Sequence, residues 1–287
     1  MYKFTPIRKT LVWGTEDWVI SGVPGSESVV AEGPEAGKKI TELFPGTFPL
    51  LIKFIDAKRD LSIQVHPDNE LAAKRHGCSG KTEMWYVIGA EPGAKLISGL
   101  KRQITPDEYV RLVEEHRITE VLAEHTVAPG DVFYMPSGRI HSIGGGCFLA
   151  EIQQTSDITY RIYDYNRPGL DGKPRQLHTQ EAKDAIDYHV YPEYRMPYEP
   201  RQNEPVELIR CPYFTTTLYD LTSPSFAGLT GESPFLIAIG LSGAGTIKTA
   251  QDEKKLSPGE AVLIPAAEGE ISFIPAASGW KFLTTHP

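Results

Sequence analysis

The sequence predicts a mainly β protein built as two related barrels with a small helical insertion. Gly 26 and Pro 23 among 287 residues make up about one residue in six. That load suits many short strands joined by turns and disfavours a helical bundle. A β-motif also occurs twice, about 130 residues apart. Residues 127–142 read Val-Ala-Pro-Gly-Asp-Val-Phe-Tyr-Met-Pro-Ser-Gly-Arg-Ile-His-Ser, and residues 256–271 read Leu-Ser-Pro-Gly-Glu-Ala-Val-Leu-Ile-Pro-Ala-Ala-Glu-Gly-Glu-Ile. The shared frame is apolar-x-Pro-Gly-acidic-x-apolar-apolar-apolar-Pro, a turn feeding a strand that ends at a second Pro. Helical signals are confined to a few short segments.

The elements follow in order. Residues 49–56 are apolar and β-prone, a buried strand. Residues 60–66 alternate, with Leu61, Ile63 and Val65 on one face and Ser62, Gln64 and His66 on the other. Residues 68–76, after Pro67, predict a short helix. Residues 83–88, 94–98 and 131–135 predict strands. Residues 105–116 predict a helix, with Thr105 as cap, Pro106 at the first position and Glu108 completing a capping box. Residues 118–125 read as its short continuation. Residues 160–165 alternate as sheet, with Tyr160 and Ile162 on one face, and residues 179–189 predict a further helix. An apolar strand and a Gly-containing turn precede each repeat copy, at 84–93 and 235–245.

Length allows one or two domains. Residues 190–206 carry four Pro and three Tyr and read as the connection between halves. The expected organisation is a barrel with helical segments over 1–200 and a smaller, degenerate barrel over 201–287. With 40% hydrophobic and 23% charged residues the chain is ordinary for a globular protein. Its net charge of −8 argues against generic nucleic-acid binding, which needs a basic face, but leaves room for a small anion held by a few cations. No run of ~18 apolar residues predicts a membrane span. The start of the chain lacks an apolar signal core. Cys78, Cys147 and Cys211, without a CxxC spacing, read as reduced thiols of a cytoplasmic protein.

The repeat resembles the cupin double-stranded β-helix, or jelly-roll, in which Pro-Gly-Asp turns and a late His are typical and metal ligands point into the barrel. Gln64 and His66 share a strand face, Glu83 opens the next strand, and His141 closes the Pro-Gly-Asp strand. One Gln, two His and one Glu form an N/O set suited to zinc, with positions left for water or substrate. Glu270 falls in the second copy where His141 falls in the first, so the second barrel is expected to lack a metal. His76, His116, His125, His178 and His189 lie in predicted helices or loops, where exposure is the default. Gly144-Gly145-Gly146 reads as a wide turn rather than a phosphate loop, because it does not open a helix. No nucleophile elbow is present.

Four motifs in order carry a more specific resemblance: Ser62-Ile63-Gln64-Val65-His66-Pro67, Gly80-Lys81-Thr82-Glu83-Met84-Trp85, Pro136-Ser137-Gly138-Arg139-Ile140-His141, and residues 151–161 from Glu151 to Arg161. They resemble the type I mannose-6-phosphate isomerases in their short bacterial form, as do Trp13-Gly14 and Trp18-Val19-Ile20-Ser21. The motifs cover roughly residues 5–170. The resemblance implies interconversion of mannose 6-phosphate and fructose 6-phosphate, with one zinc ion held by Gln64, His66, Glu83 and His141. It places Lys81, Glu151 and Arg161 at the catalytic centre and Ser62 beside it. Ser62, Lys81 and Arg161 are the expected substrate contacts, the partner is a small sugar phosphate, and the chain is expected to be a monomer or weak homodimer.

Aldose–ketose isomerisation through a cis-enediol moves one proton between C1 and C2 and another between the two oxygens. Lys81 and Glu151 are the candidate shuttles, Glu151 because burial could raise its pKa, and the residues do not rank them. Arg161 is always charged, so it suits an oxyanion or phosphate rather than a base. It could instead pair with Asp157 or Asp164. Two further readings stand beside the isomerase. One is a non-catalytic metal- or sugar-binding cupin with a regulatory role. The other is an iron oxygenase, disfavoured by Gln64 and by the Lys81–Glu83 pair.

Overall fold

The computed structural model describes residues 1–228 and 233–287. The chain forms two compact units, one of Arg8–Trp18 with Leu51–Met196, the other of Met1–Ile7, Val19–Leu50 and Pro197–Pro287. One boundary between the units, Met196 to Pro197, lies in the Pro- and Tyr-rich stretch. A linear split there does not describe the units, because segments 1–7 and 19–50 group with the C-terminal residues.

The first unit is a two-sheet β structure with a helical layer on one side. Its six-stranded sheet has the order Val132–Met135, Glu83–Ala90, Cys147–Gln154, Leu50–Ala57, Gly14–Ile20, Ile7–Leu11. The five-stranded sheet has the order Tyr160–Tyr163, Ile63–Val65, His141–Ile143, Lys95–Leu100, Leu122–Thr126. Side-chain alternation sorts the faces. Trp85, Val87, Ile55, Phe133, Leu149 and Ile143 share one buried cluster contributed by both sheets. Ile63, Val65, Tyr160 and Ile162 instead pack with Tyr109, Leu112, Ile118 and Ala182 in a second cluster, against the helices. Residues one step away from that second set, Gln64 and Arg161 among them, are therefore directed to the other face of their sheet. The expected pairing of Tyr160 with Ile162 is observed.

The helices of this unit are Asn69–His76, Pro106–Glu114 and Thr179–Ala185. Thr105 caps the second by accepting the Glu108 N–H at 3.1 Å. The Glu108 carboxylate, expected to complete a capping box, instead takes Arg102 at 2.8 Å. The expected helical continuation over 118–125 is a single 3-10 turn, Ile118–Val121, followed by strand Leu122–Thr126. Pairing with Lys95–Leu100 overrides the local helical pattern, a tertiary effect that propensity does not contain.

The other unit holds a sheet ordered Val206–Arg210, Thr215–Leu221, Glu270–His286, Phe235–Lys248, Glu253–Leu256, with Ala261–Pro265 on Phe235–Lys248 and Ser225–Gly228 on Glu270–His286. Its core is aromatic, around Tyr219, Phe273, Trp280 and Phe282. Glu270 is exposed at the start of its strand.

The repeated frame has a common physical cause in both units. Asp131 N–H donates to the Ala128 carbonyl (3.1 Å) and Glu260 N–H to that of Ser257 (3.2 Å). Gly130 and Gly259 take φ of +96° and +79°, the left-handed region required third in a Pro-Gly turn. The acidic residue locks each turn, Asp131 Oδ2 accepting Ala128 N–H at 2.9 Å and Glu260 Oε2 accepting Ser257 N–H at 2.8 Å. The following strand then pairs antiparallel with the preceding apolar one, Val132 opposite Tyr86 and Val262 opposite Ala238.

Candidate active site

Gln64, His141 and Arg161 come from three adjacent strands of the five-stranded sheet, Gln64 standing opposite both His141 and Arg161. His66 follows on the Gln64 strand, and Glu83 opens a strand of the facing sheet. His66, Glu83 and His141 are almost completely buried, and their ligand atoms lie within 4.8 Å of one another. His66 Nδ1 is 2.8 Å from the Ile158 carbonyl and His141 Nδ1 is 2.8 Å from that of Arg139. A carbonyl only accepts, so each Nδ1 carries the proton and each Nε2 turns a lone pair inward. The two Nε2 atoms stand 3.1 Å apart. Two acceptors cannot satisfy each other.

Glu83 Oε1 has no hydrogen-bond partner and lies 3.3 Å from His141 Nε2, while Oε2, which faces Lys81, lies 3.5 Å from His66 Nε2. Three sets of lone pairs thus converge on one point, which suits a cation. Nitrogens bound to one zinc ion at about 2.0–2.1 Å stand about 3 Å apart, in keeping with the spacing found. Gln64 Nε2 is 3.4 Å from His141 Nε2, with Ser62 Oγ 3.5 Å from Gln64 Oε1. Turning that amide over, a choice set by its partners, brings the oxygen to the cluster as a fourth donor.

Beside this cluster runs a ladder of alternating charges. Lys81 Nζ is 2.8 Å from Glu83 Oε2, 3.1 Å from His66 Nε2 and 4.0 Å from Glu151 Oε1. Lys53 Nζ is 3.0 Å from Glu151 Oε1 and 3.8 Å from Glu16 Oε2. Trp85 Nε1 donates to Glu151 (2.9 Å) and Trp18 Nε1 to Glu16 (2.6 Å). Burial acts to raise the Glu151 pKa, but Lys53 and Lys81 overcome it and hold the group down at about 2. The expectation that burial would raise Glu151 therefore fails, because two ammonium groups outweigh desolvation. Glu83 goes the other way, pushed up to about 7 by burial and then by the Glu151 charge. Burial holds His141 down at about 4. Burial, then the Lys81 charge, puts His66 well below its ordinary range. Both rings are neutral, as metal ligands must be.

Lys53, Lys81, Glu16, Glu151, Gln64 and Arg161 all face one cavity of about 330 Å³. Ser62 and Asp157 also line it, as do Arg175 and His178. Arg161 Nη1 donates to the Gln176 carbonyl at 3.0 Å, while its Nε has no partner. Asp164, a partner considered for Arg161, is taken by Arg167 and Arg175 at 2.8 and 2.6 Å. His178 Nδ1 accepts the Arg161 N–H at 3.1 Å, which leaves the proton on Nε2. The default of exposure is wrong for this histidine.

Sequence reasoning also missed Lys53 and Glu16. A lysine inside the apolar run 50–57 was the available signal, since a buried Lys needs a partner. The Gly144–Gly146 turn spends its N–H groups within the protein, on the Lys95 and Ala57 carbonyls and the Asp60 carboxylate, as a wide turn should.

The phosphomannose isomerase type I catalytic domain family matches residues 16–91, and the mannose-6-phosphate isomerase cupin domain family matches residues 206–274. The mannose-6-phosphate isomerase ManA of Bacillus subtilis (strain 168) is 33% identical over 297 residues, covering 93% of each chain. The chain belongs to the type I mannose-6-phosphate isomerase family. A Streptococcus mutans member is 33% identical over 262 residues, covering 87% of this chain and 82% of its own. The crystal structure of the mannose 6-phosphate isomerase from Bacillus subtilis aligns with a TM-score of 0.90 at 30% identity, over 100% of this chain and 99% of that one. A zinc-bound mannose 6-phosphate isomerase, 14% identical with a TM-score of 0.76, shares the fold. The cupin architecture expected from the repeat is thereby borne out.

Proposed function

We propose that this chain interconverts mannose 6-phosphate and fructose 6-phosphate through a cis-enediol, on one zinc ion held by Gln64, His66, Glu83 and His141. One observation carries the reading. A single cavity is lined by Arg161, whose Nε is uncommitted, and by Lys81 and Gln64, which themselves touch an inward-facing His–Glu–His cluster. Bound zinc would supply a Lewis acid to the C1 and C2 oxygens.

The remaining chemistry belongs to the chain's own side chains. Lys81, next to both Glu83 and His66, is the group assigned to carry the proton between C1 and C2. Glu151 is the poorer candidate, because a carboxylate held at about 2 is a weak proton acceptor near neutrality. Glu151 serves instead as a fixed anion that aims the Lys81 and Lys53 ammonium groups. Arg161 stays charged although burial, then Arg175, lower its pKa, and it holds the phosphate or the developing oxyanion. Ser62, beside Gln64, is assigned to the substrate wall.

Three free cysteines favour a reducing, cytoplasmic compartment, and the chain is read as a monomer or weak homodimer that meets a small sugar phosphate. Among the described residues no helix is long and apolar enough to cross a membrane. The curated relatives are named as isomerases, which favours catalysis over a regulatory cupin. The test is a coupled assay of fructose 6-phosphate formed from mannose 6-phosphate by zinc-loaded protein. Absence of turnover with and without added zinc refutes the proposal.

A further inference from the structure

The segment Asp187–Arg195 takes no part in the chemistry above, yet it closes on the turn that delivers His141. Arg139, two residues before His141, places its guanidinium carbon 4.6 Å from the ring centroid of Tyr191 and 4.6 Å from that of Tyr194. The arginine is 8% exposed. A desolvated guanidinium between two aromatic faces is strongly held. The carbonyl of this same residue accepts the His141 Nδ1 proton at 2.8 Å. The rings therefore grip the residue that sets the tautomer and rotation of a metal-facing imidazole.

Other contacts tie the segment to the turn and to the strands beside it. Asp187 N–H donates to the Gly138 carbonyl at 2.8 Å, and Gly138 N–H donates to the carbonyl of His66, the other histidine of the cluster, at 2.9 Å. Gly138 has φ of +87°, and a Cβ there would stand 3.0 Å from the Ala185 carbonyl oxygen and 3.2 Å from Asp187 N. A side chain there would crowd the segment's backbone, at a φ that already favours glycine. The Tyr194 hydroxyl donates to the Leu100 carbonyl at 2.7 Å and accepts the Leu100 N–H at 3.2 Å. Leu100 ends the strand that pairs with His141 through Ser98. Tyr191 is tied in turn by its hydroxyl to Asp187 (2.7 Å).

We propose that Asp187–Tyr194 is a strap that sets zinc affinity, Tyr191 and Tyr194 acting as positioning residues that hold the Arg139 carbonyl against His141. The inference rests on the metal-centre reading above. Loss of a partner that orients a metal-bound histidine lowers metal affinity about 10–100-fold. A strap that only stabilised the fold would lower the melting temperature and leave the zinc affinity of the folded protein unchanged.

The test measures zinc affinity of the full chain by competition with a chromophoric chelator. Tyr191 is 40% exposed, so Tyr191→Leu should stay folded, which circular dichroism checks. Tyr191→Leu and Arg139→Met are expected to raise the zinc dissociation constant about 10-fold each, within the range for such partners. Tyr191→Phe, which keeps the ring over Arg139 and loses only the hydroxyl contact with Asp187, should lose clearly less zinc affinity than Tyr191→Leu. The His141 Nδ1 proton resonance should broaden or move more in Tyr191→Leu than in Tyr191→Phe. Zinc affinity within twofold of wild type in folded Tyr191→Leu and Arg139→Met overturns the strap. Failure of the wild type to bind zinc overturns the metal centre itself, and the strap with it.

Discussion

Lys53→Met tests the charge ladder most directly. The substitution keeps the length of an unbranched side chain and removes the ammonium 3.0 Å from Glu151. Two unit charges at that distance, at an effective dielectric constant of about 20, interact by about 5.5 kcal/mol. Lys81, 4.0 Å away, and the Trp85 N–H remain. Removing one partner of a buried pair costs about 3–5 kcal/mol because the other charge is stranded. The sign of the pH dependence follows. Glu151 is held at about 2 against an ordinary 4.5, so its contribution is present above the ordinary value and is lost as pH falls toward 2. In the variant its pKa should rise above the unfolded value. The native state then binds the extra proton, and the variant gains stability relative to the wild type as pH falls. Urea unfolding of metal-stripped wild type and variant at pH 7.5 and pH 5 measures this. The expected deficit is about 3–5 kcal/mol at pH 7.5 and at least about 1 kcal/mol less at pH 5. A deficit below about 1 kcal/mol, or one equal at both pH values, refutes the ladder.

Three further outcomes are expected. His141→Ala should lose both zinc and turnover, while Arg161→Ala keeps zinc and loses most turnover; metal analysis beside the coupled assay separates them, and zinc lost from Arg161→Ala contradicts its assignment. Zinc binding to metal-stripped protein should release about one proton at pH 6 and far less at pH 8, because Glu83 is pushed up to about 7 while His141 is already deprotonated, held at about 4; calorimetry in buffers of different ionisation enthalpy counts it. Asp131→Ala and Glu260→Ala should each cost about 1 kcal/mol by loss of the hydrogen bond that locks the Pro-Gly turn, read by thermal melting.

Much of the site was legible because its residues announce themselves locally. Gln64 and His66 share a face by simple alternation, and Arg161 is placed by the apolar pair Tyr160 and Ile162 that flanks it. Residues 122–125 were misread because a helix-like pattern met a strand partner far away in sequence. Lys53, Glu16 and His178 escaped for the same reason. Each lies where local pattern assigns either core or surface, and only neighbours brought from other strands show that it faces a cavity.

By itself, then, the sequence determined the strand-and-turn architecture, the doubled Pro-Gly frame and the alternation that puts Gln64 on the face opposite Ile63 and Val65. Those features depend on backbone conformation and alternation, which a few neighbouring residues decide. The tertiary structure alone decided which charges neutralise which. Burial would raise Glu151 and Glu83 alike, but Lys53, delivered by another strand, holds Glu151 ionised, and the Glu151 charge helps raise Glu83. Electrostatic energies in a buried site depend on distances of a few ångströms between groups far apart in the chain, and those distances exist only once the barrel has closed.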